Sequence, residues 1–419
     1  MPDADGARRA VQAVFRLERA RLVASLTRLV RDVGAAEELA QDALVAALEQ
    51  WPRDGVPERP GAWLLAAARR RGLDALRHRA LADARHGALA LEAADGPAPV
   101  AHEEDPRAAG DALLGLVLVA CHPVLSLEAR VALTLRLLCG LETDEIARAF
   151  LVPPATVAQR IVRAKRTLAE ARVPFEVPRG AALAERLPAA LQVVYLVFNE
   201  GHAATAGEDL MRPALCDEAL RLGRVLAGLA PDEPEVHGLV ALMELTAARA
   251  RARTGPDGAA VSLLEQDRGR WDRLLAGRGR AALERARALG GARGPYALQA
   301  AIAAEHARAP TAAATDWPRI AALYDALAEV SPSPVVELNR AMAIGLAYGP
   351  ADGLALVEAL RDEAALEGYP PLPAARGELL ERLGRRPEAA EAFALAAALT
   401  RNARERAALL DRAARAARP

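Results

Sequence analysis

The residues of this chain best placed to do chemistry lie along one face of a short helix. Between positions 153 and 169, Thr156, Gln159, Arg160, Arg163 and Arg166 fall on one side. Val157, Ile161, Ala164 and Leu168 recur at helical spacing on the other and form a buried stripe. No acid interrupts the segment. Guanidinium and amide groups spaced in this way meet phosphate oxygens and the base edges of a major groove.

That face needs a scaffold, and the flanking residues supply one. Pro153 and Pro154 open the helix, because proline suits a first helical turn and not an interior. Just upstream, Thr143 is placed to cap a preceding helix, with Asp144 and Glu145 in its first turn. Ile146, Ala147 and Phe150 give that helix its apolar side. Residues 141–168 therefore read as a helix-turn-helix.

Two more charged faces lie upstream. Residues 61–79 carry Arg69, Arg70, Arg71, Arg77 and Arg79 against one acid, Asp74, next to a Pro/Gly loop at 52–60. Such a helix suits holding a nucleic-acid backbone beside an unstacked base. Trp63 reads as a core anchor. Residues 10–51 read as two helices, the first carrying Val11, Val14, Phe15, Leu22, Leu26 and Leu29 and ending near Gly34. The second turns Leu39, Ala40, Ala43, Ala47, Leu48 and Trp51 inward and leaves Glu37, Glu38, Gln41, Asp42 and Glu49 outward. Taken alone, this acidic face is simply solvated; opposite a basic partner it would speed encounter and set register.

In this order the three stretches resemble regions 2 and 4 of a bacterial extracytoplasmic-function (ECF) sigma factor of the sigma-70 family. The likeness rests on AEELAQDALVAALEQW at 36–51, on the arginine helix, on LSLEARVAL at 125–133 and on RIVRAKR at 160–166. Arg70 and Gly72 stand where that family more usually has asparagine and alanine. The resemblance implies core RNA polymerase, through its β′ and β subunits, and promoter DNA as partners. Glu37, Glu38, Gln41, Asp42 and Glu49 would dock on the basic coiled coil of β′. Arg69, Arg70, Arg71, Asp74 and Arg77 would act at the −10 element. Thr156, Gln159, Arg160, Arg163 and Arg166 would read the −35 element. The expected layout is region 2 over 8–80, an acidic linker over 81–110, region 4 over 111–172 and a second linker over 173–186. The first linker holds six acids against two arginines, so it should not bind DNA itself.

More than half of the 419 residues follow. Similar segments begin at 321, 354 and 390, which are 33 and 36 residues apart, with turn signals between them. A period near 34 points to tetratricopeptide-like (TPR-like) repeats, stacked with a concave binding face. The repeat is clearest over 300–400, within an extension spanning 187–415. Residues 187–300 hold a polar cluster of Asn199, Glu200, His202, Asp267, Arg268 and Trp271, read as a buried network or a ligand pocket. The runs YLVFNEGH, PDEPEVHGLVALM and LLEQDRGRW resemble the ECF subgroup with such an extension, although His202 replaces the more usual tyrosine. That likeness implies a regulatory extension answering to a protein or small-molecule effector.

Composition narrows the alternatives. The chain is 52% hydrophobic and 26% charged, with 3% aromatics, which fits an all-α globular protein. Its net charge of −1 confines nucleic-acid binding to local patches. Three cysteines without metal spacing point to a reduced, cytoplasmic protein. No apolar run is long enough for a membrane span. No cofactor, metal or catalytic residue is expected. Two rivals stand beside the sigma reading. One is a one-component helix-turn-helix regulator with a TPR-like sensor. The other is a hydrolase or metalloenzyme using Glu200, His202, Glu265 or Asp267, for which no motif is present.

Overall fold

A computed structural model describes residues 4–84, 106–150, 152–178, 180–256 and 258–418. It is all-α and divides into two compact units, Met1–Val193 and Val194–Pro419. No described helix is long and apolar enough to cross a membrane.

The first unit begins with α1 (Ala4–Val30), α2 (Val33–Asp54) and α3 (Pro60–Ala84), which pack on one another. Asp32 starts α2 by accepting a 2.7 Å hydrogen bond from the Ala35 N–H, and Gly55 (φ 88°) ends it. The second helix thus begins before Gly34, where an aspartate can cap it, and not after the glycine. Trp51 is buried and meets the half-buried Trp63 edge-on at 5.5 Å, so Trp63 packs at the margin of the core. Gly72 lies where α3 crosses its neighbours. A methyl there would come within 3.2–3.3 Å of Leu29 and Leu39, so the glycine permits the close approach.

The same unit continues with α4 (Pro106–Ala120), α5 (Leu127–Leu137), α6 (Thr143–Phe150) and α7 (Pro154–Glu170). Both α3 and α4 reach into the expected 81–110 linker, whose residues 85–105 lie outside the described residues. Ser126 caps α5, and Pro154 occupies the first turn of α7. Val157, Ile161, Ala164 and Leu168 are the buried residues of α7, the same four that helical periodicity selects. α8 (Ala181–His202) runs from this unit into the second.

The second unit holds α9 (Pro213–Leu229), α10 (Pro234–Ala247), α11 (Arg273–Ala288), α12 (Pro295–Arg308), α13 (Trp317–Val330), α14 (Pro334–Ala347), α15 (Pro350–Ala359), α16 (Pro371–Arg382), α17 (Arg386–Leu399) and α18 (Ala403–Ala416). Proline stands in the first two positions of every helix from α9 to α17 except α11. The three similar segments fall on α13, α15 and α17, and each of these helices packs on the next in sequence. Small residues let the helices close up. The backbones of Gly345 and Gly353 nearly touch, and Gly377 lies under the ring of buried Phe393.

The two ends of this unit meet. β1 (Ala206–Gly207) pairs in parallel with β2 (Arg401–Asn402). Asn402 is fully buried, and its Nδ2 donates to the carbonyls of Ala204 (3.0 Å) and Asp209 (2.8 Å). Its Oδ1 accepts the N–H groups of Arg404 and Glu405 and caps α18. The strand pair and this asparagine therefore hold the segments at 204–209 and 401–405 together.

Candidate nucleic-acid interface

On α7 the side opposite the buried stripe is open. Gln159, Arg163 and Arg166 are exposed, and Thr156 and Arg160 are half-buried. Arg166 makes a surface pair with Glu170 at 3.5 Å, a contact too exposed to hold it. Arg160 lies within electrostatic range of Glu128 at the start of α5. Four of the five side chains singled out from sequence therefore keep their donors available, and Arg160 shares its charge with an acid.

The arginines of α3 divide. Arg70 is exposed, while Arg69 turns inward and donates to Ser25 Oγ at 3.3 Å. Arg71 donates to the backbone carbonyl of Asp42 and lies 3.9 Å from its carboxylate. Arg77 pairs with Asp74 at 3.6 Å on the surface. Arg69 and Arg71 are thus tied to α1 and α2.

The acidic face of α2 departs from expectation at one residue. Glu38, Asp42 and Glu49 are exposed and Gln41 is half-buried, but Glu37 is buried at 5% exposure. Its Oε1 accepts hydrogen bonds from Arg19 Nη2 at 2.6 Å and Arg136 Nε at 2.8 Å. Its Oε2 accepts one from Lys165 of α7. Glu142 joins the same group by pairing with both Arg19 and Arg136. Burial by itself would raise the Glu37 pKa. The hydrogen bond and charge of Lys165, with Arg136 and Arg19, outweigh it and hold the carboxyl below its usual range. A carboxylate held by three cations is a structural group and not a free docking acid. Beside it, Glu38, Gln41 and Asp42 form one wall of a cleft of about 390 Å³, and Ala158, Ile161, Val162 and Lys165 of α7 line the other.

The polar cluster of the second unit is not one network. Glu200 is buried and paired with Arg212, and it accepts from Thr205 Oγ1 at 2.9 Å. His202 stacks on Phe198. Asp267 is exposed and caps a 3-10 turn (Arg268–Arg270) through the Gly269 N–H. Arg268 lies over the Trp271 ring at 4.2 Å. Asn199 is half-buried. Glu265 is exposed and accepts from Ser262 Oγ at 3.0 Å. The oxygens of Glu200 are thus engaged by a guanidinium and a hydroxyl, and among the described residues no group of three or more His, Cys, Asp or Glu side chains comes together as a metal site would need. Periodicity and local composition do not single out Arg19, Arg136 or Lys165 as partners of Glu37. The one signal in the sequence is that Lys165 is the chain's single lysine.

Residues 14–81, which hold α2 and most of α3, match the sigma-70 region 2 family, and residues 116–168, which hold α5, α6 and most of α7, match sigma-70 region 4. The chain belongs to the sigma-70 family. This sigma factor directs transcription with core RNA polymerase and promoter DNA as its partners. Its residues 186–287 match a family of unknown function (DUF6596). The sigma factor is also similar to an uncharacterized protein of Rhizobium meliloti (strain 1021), at 43% identity over 394 residues, 93% of this chain and 92% of the relative. The likeness therefore includes the extension. No solved structure matches.

Proposed function

We propose that this protein is an ECF-type sigma factor whose TPR-like extension regulates it. Glu38, Gln41, Asp42 and Glu49 on α2 dock on the polymerase. Arg70, with Arg77 and Asp74, acts at the −10 element, while Arg69 and Arg71 brace α3. Thr156, Gln159, Arg160, Arg163 and Arg166 read the −35 element. The observation that carries this reading is the pairing, in one chain, of an acid-rich α2 within region 2 and an acid-free, exposed basic face on α7 within region 4. A regulator that only bound DNA would need the second and not the first.

The cleft adds a condition. A polymerase element that fills the cleft beside Glu38 and Asp42 would meet α7 across it, and on this reading α2 and α7 part on docking. The Glu37–Lys165 contact then marks a resting conformer.

In vitro transcription tests the assignment. Full chain, and separately a truncation ending near Val173, are added to core polymerase on the promoter of the protein's own gene. Transcription from the full chain supports a sigma factor. A silent truncation makes the extension an activator, and a more active one makes it a brake. DNA binding with no transcript from either points to the one-component regulator and overturns the reading.

A further inference from the structure

We propose that the extension binds a phosphoryl-bearing small molecule at Arg249, Arg253 and Arg268, with His202 and His306 lining the same site. Arg249 and Arg253 flank a 3-10 turn (Ala250–Ala252), and Arg268 opens the 3-10 turn introduced above. The Asp272 N–H donates to the Ala248 carbonyl at 2.7 Å and ties the two turns together. Arg268 Nη1 reaches α12, where it donates to the His306 carbonyl at 2.7 Å. The His306 ring lies edge-on to Trp317 at 5.3 Å. α8 contributes His202, and α13 contributes Tyr324.

These half-buried cations differ from others of the same unit in lacking an acid. Elsewhere in this unit the half-buried Arg212, Arg340, Arg376 and Arg412 each pair with a carboxylate. Among the described residues, no carboxylate comes within ion-pair distance of Arg249, Arg253 or Arg268. Glu405 acts on Arg253 only from further away. Arg253 Nε, Arg268 Nε and Nη2, both ring nitrogens of His202 and Nδ1 of His306 are enclosed without a hydrogen-bond partner. Enclosed polar atoms left unpaired are destabilising, and native proteins leave few of them; among these the guanidinium N–H groups are donors, while each neutral imidazole has one donor and one acceptor nitrogen.

The groups also disturb one another, which places them within electrostatic range. Burial, then the charges of Arg253 and Arg268, push Arg249 down to about 10. Burial, then Arg249 and Arg268, push His306 down to about 3. Burial, then Arg253 and Arg249, push His202 well below its ordinary value. An oxyanion bound here would relieve the repulsion and accept from the unpaired guanidinium N–H groups together. A phosphoryl group carries up to two charges and three acceptor oxygens, which suits three guanidiniums better than a single carboxylate does.

The experiment uses the full chain, with thermal unfolding and calorimetric titration against inorganic phosphate and ATP. Acetate and chloride at matched ionic strength serve as controls. Saturable stabilisation by phosphate or ATP, beyond that by acetate, is expected. Tighter binding of ATP assigns the phosphoryl group to a nucleotide, and tighter binding of phosphate assigns it to the free ion. Arg249→Met and Arg268→Met should each weaken binding roughly ten- to a hundredfold, the effect of losing a charge-assisted hydrogen bond. Each should also raise the melting temperature of the anion-free protein by removing an unanswered charge. Should either variant fold poorly, hydrogen exchange on the unaltered chain decides. Phosphate or ATP should slow exchange around residues 249–253, around 268–270 and in α12. No stabilisation by either, equal stabilisation by acetate, or binding that survives both substitutions (an adventitious ion only) overturns the proposal.

Discussion

The carboxylate of Glu37, near the start of α2, accepts a hydrogen bond from the ammonium of Lys165 on α7, 128 positions further along the chain. Arg19 and Arg136 hold the other oxygen of Glu37. One buried carboxylate thereby joins α2, which carries the exposed Glu38 and Asp42, to α7, whose open face carries Gln159, Arg163 and Arg166.

Removing the lysine should favour the open form. Lys165→Met leaves Glu37 with two cations and a packed apolar stem in place of the third. The expected result is tighter association with core polymerase, roughly tenfold if the contact contributes about 1.4 kcal/mol. Fluorescence titration of labelled protein with core enzyme measures it, and unchanged or weaker binding would count against a resting conformer held by Glu37 and Lys165.

Removing the carboxylate should do more damage. Glu37→Gln leaves three cations around a neutral amide, and breaking a buried pair from one side costs about 3–5 kcal/mol. The denaturation midpoint of the first unit should fall, and an amine-reactive reagent should label Lys165 faster by mass spectrometry. The pH dependence follows from the depressed Glu37 pKa. Its stabilisation is fully present above the unfolded carboxyl value of about 4.3 and is lost as pH falls through the lower folded value. Wild type should show that acid loss, and Glu37→Gln should lack it.

If the basic face of α7 reads the −35 element as proposed, its arginines should separate by what they touch. Arg163→Ala removes an exposed guanidinium and, if it touches only phosphate, should weaken all sequences alike and lower the salt slope by about 1. Arg160→Ala should instead flatten discrimination at one base pair by about 1–3 kcal/mol. Promoter-binding titrations of wild-type and substituted −35 elements at several salt concentrations distinguish the two.

The closure of the extension rests heavily on Asn402. Asn402→Ala removes the α18 cap, worth about 1 kcal/mol. It also leaves the carbonyls of Ala204 and Asp209 without that donor, at about 1–3 kcal/mol for each one left unsatisfied. A lower melting temperature is expected, with faster hydrogen exchange around residues 204–209 and in α18. Full protection at both ends would show that other contacts close the unit.

Much of the candidate interface is legible in the order of the residues. Val157, Ile161, Ala164 and Leu168 lie within a few turns of one another, and the spacing that puts them on one side of α7 is a property of the helix alone. Pro154 announces where that helix starts for an equally local reason. Glu37 reads as outward-facing because its nearest helical neighbours, Glu38, Gln41 and Asp42, are polar, and a helix reads as solvated wherever its polar residues gather. Nothing nearby records that Arg136 and Lys165 arrive from far downstream.

The division follows the range of the forces involved. Backbone hydrogen bonding, proline sterics and helical periodicity act over a few residues, so the helices, their order and the exposed face of α7 are already set by the chain's local order. Ion pairs and strand pairs ignore chain distance. Three features therefore arise only when remote segments pack together: Glu37 is enclosed by three cations, Ala206 and Arg401 pair between the two ends of the second unit, and Arg268 reaches the His306 carbonyl with no acid in ion-pair range. In each case the charge or hydrogen-bonding group is plain in the sequence, and its burial, which determines its energy, comes from residues far along the chain.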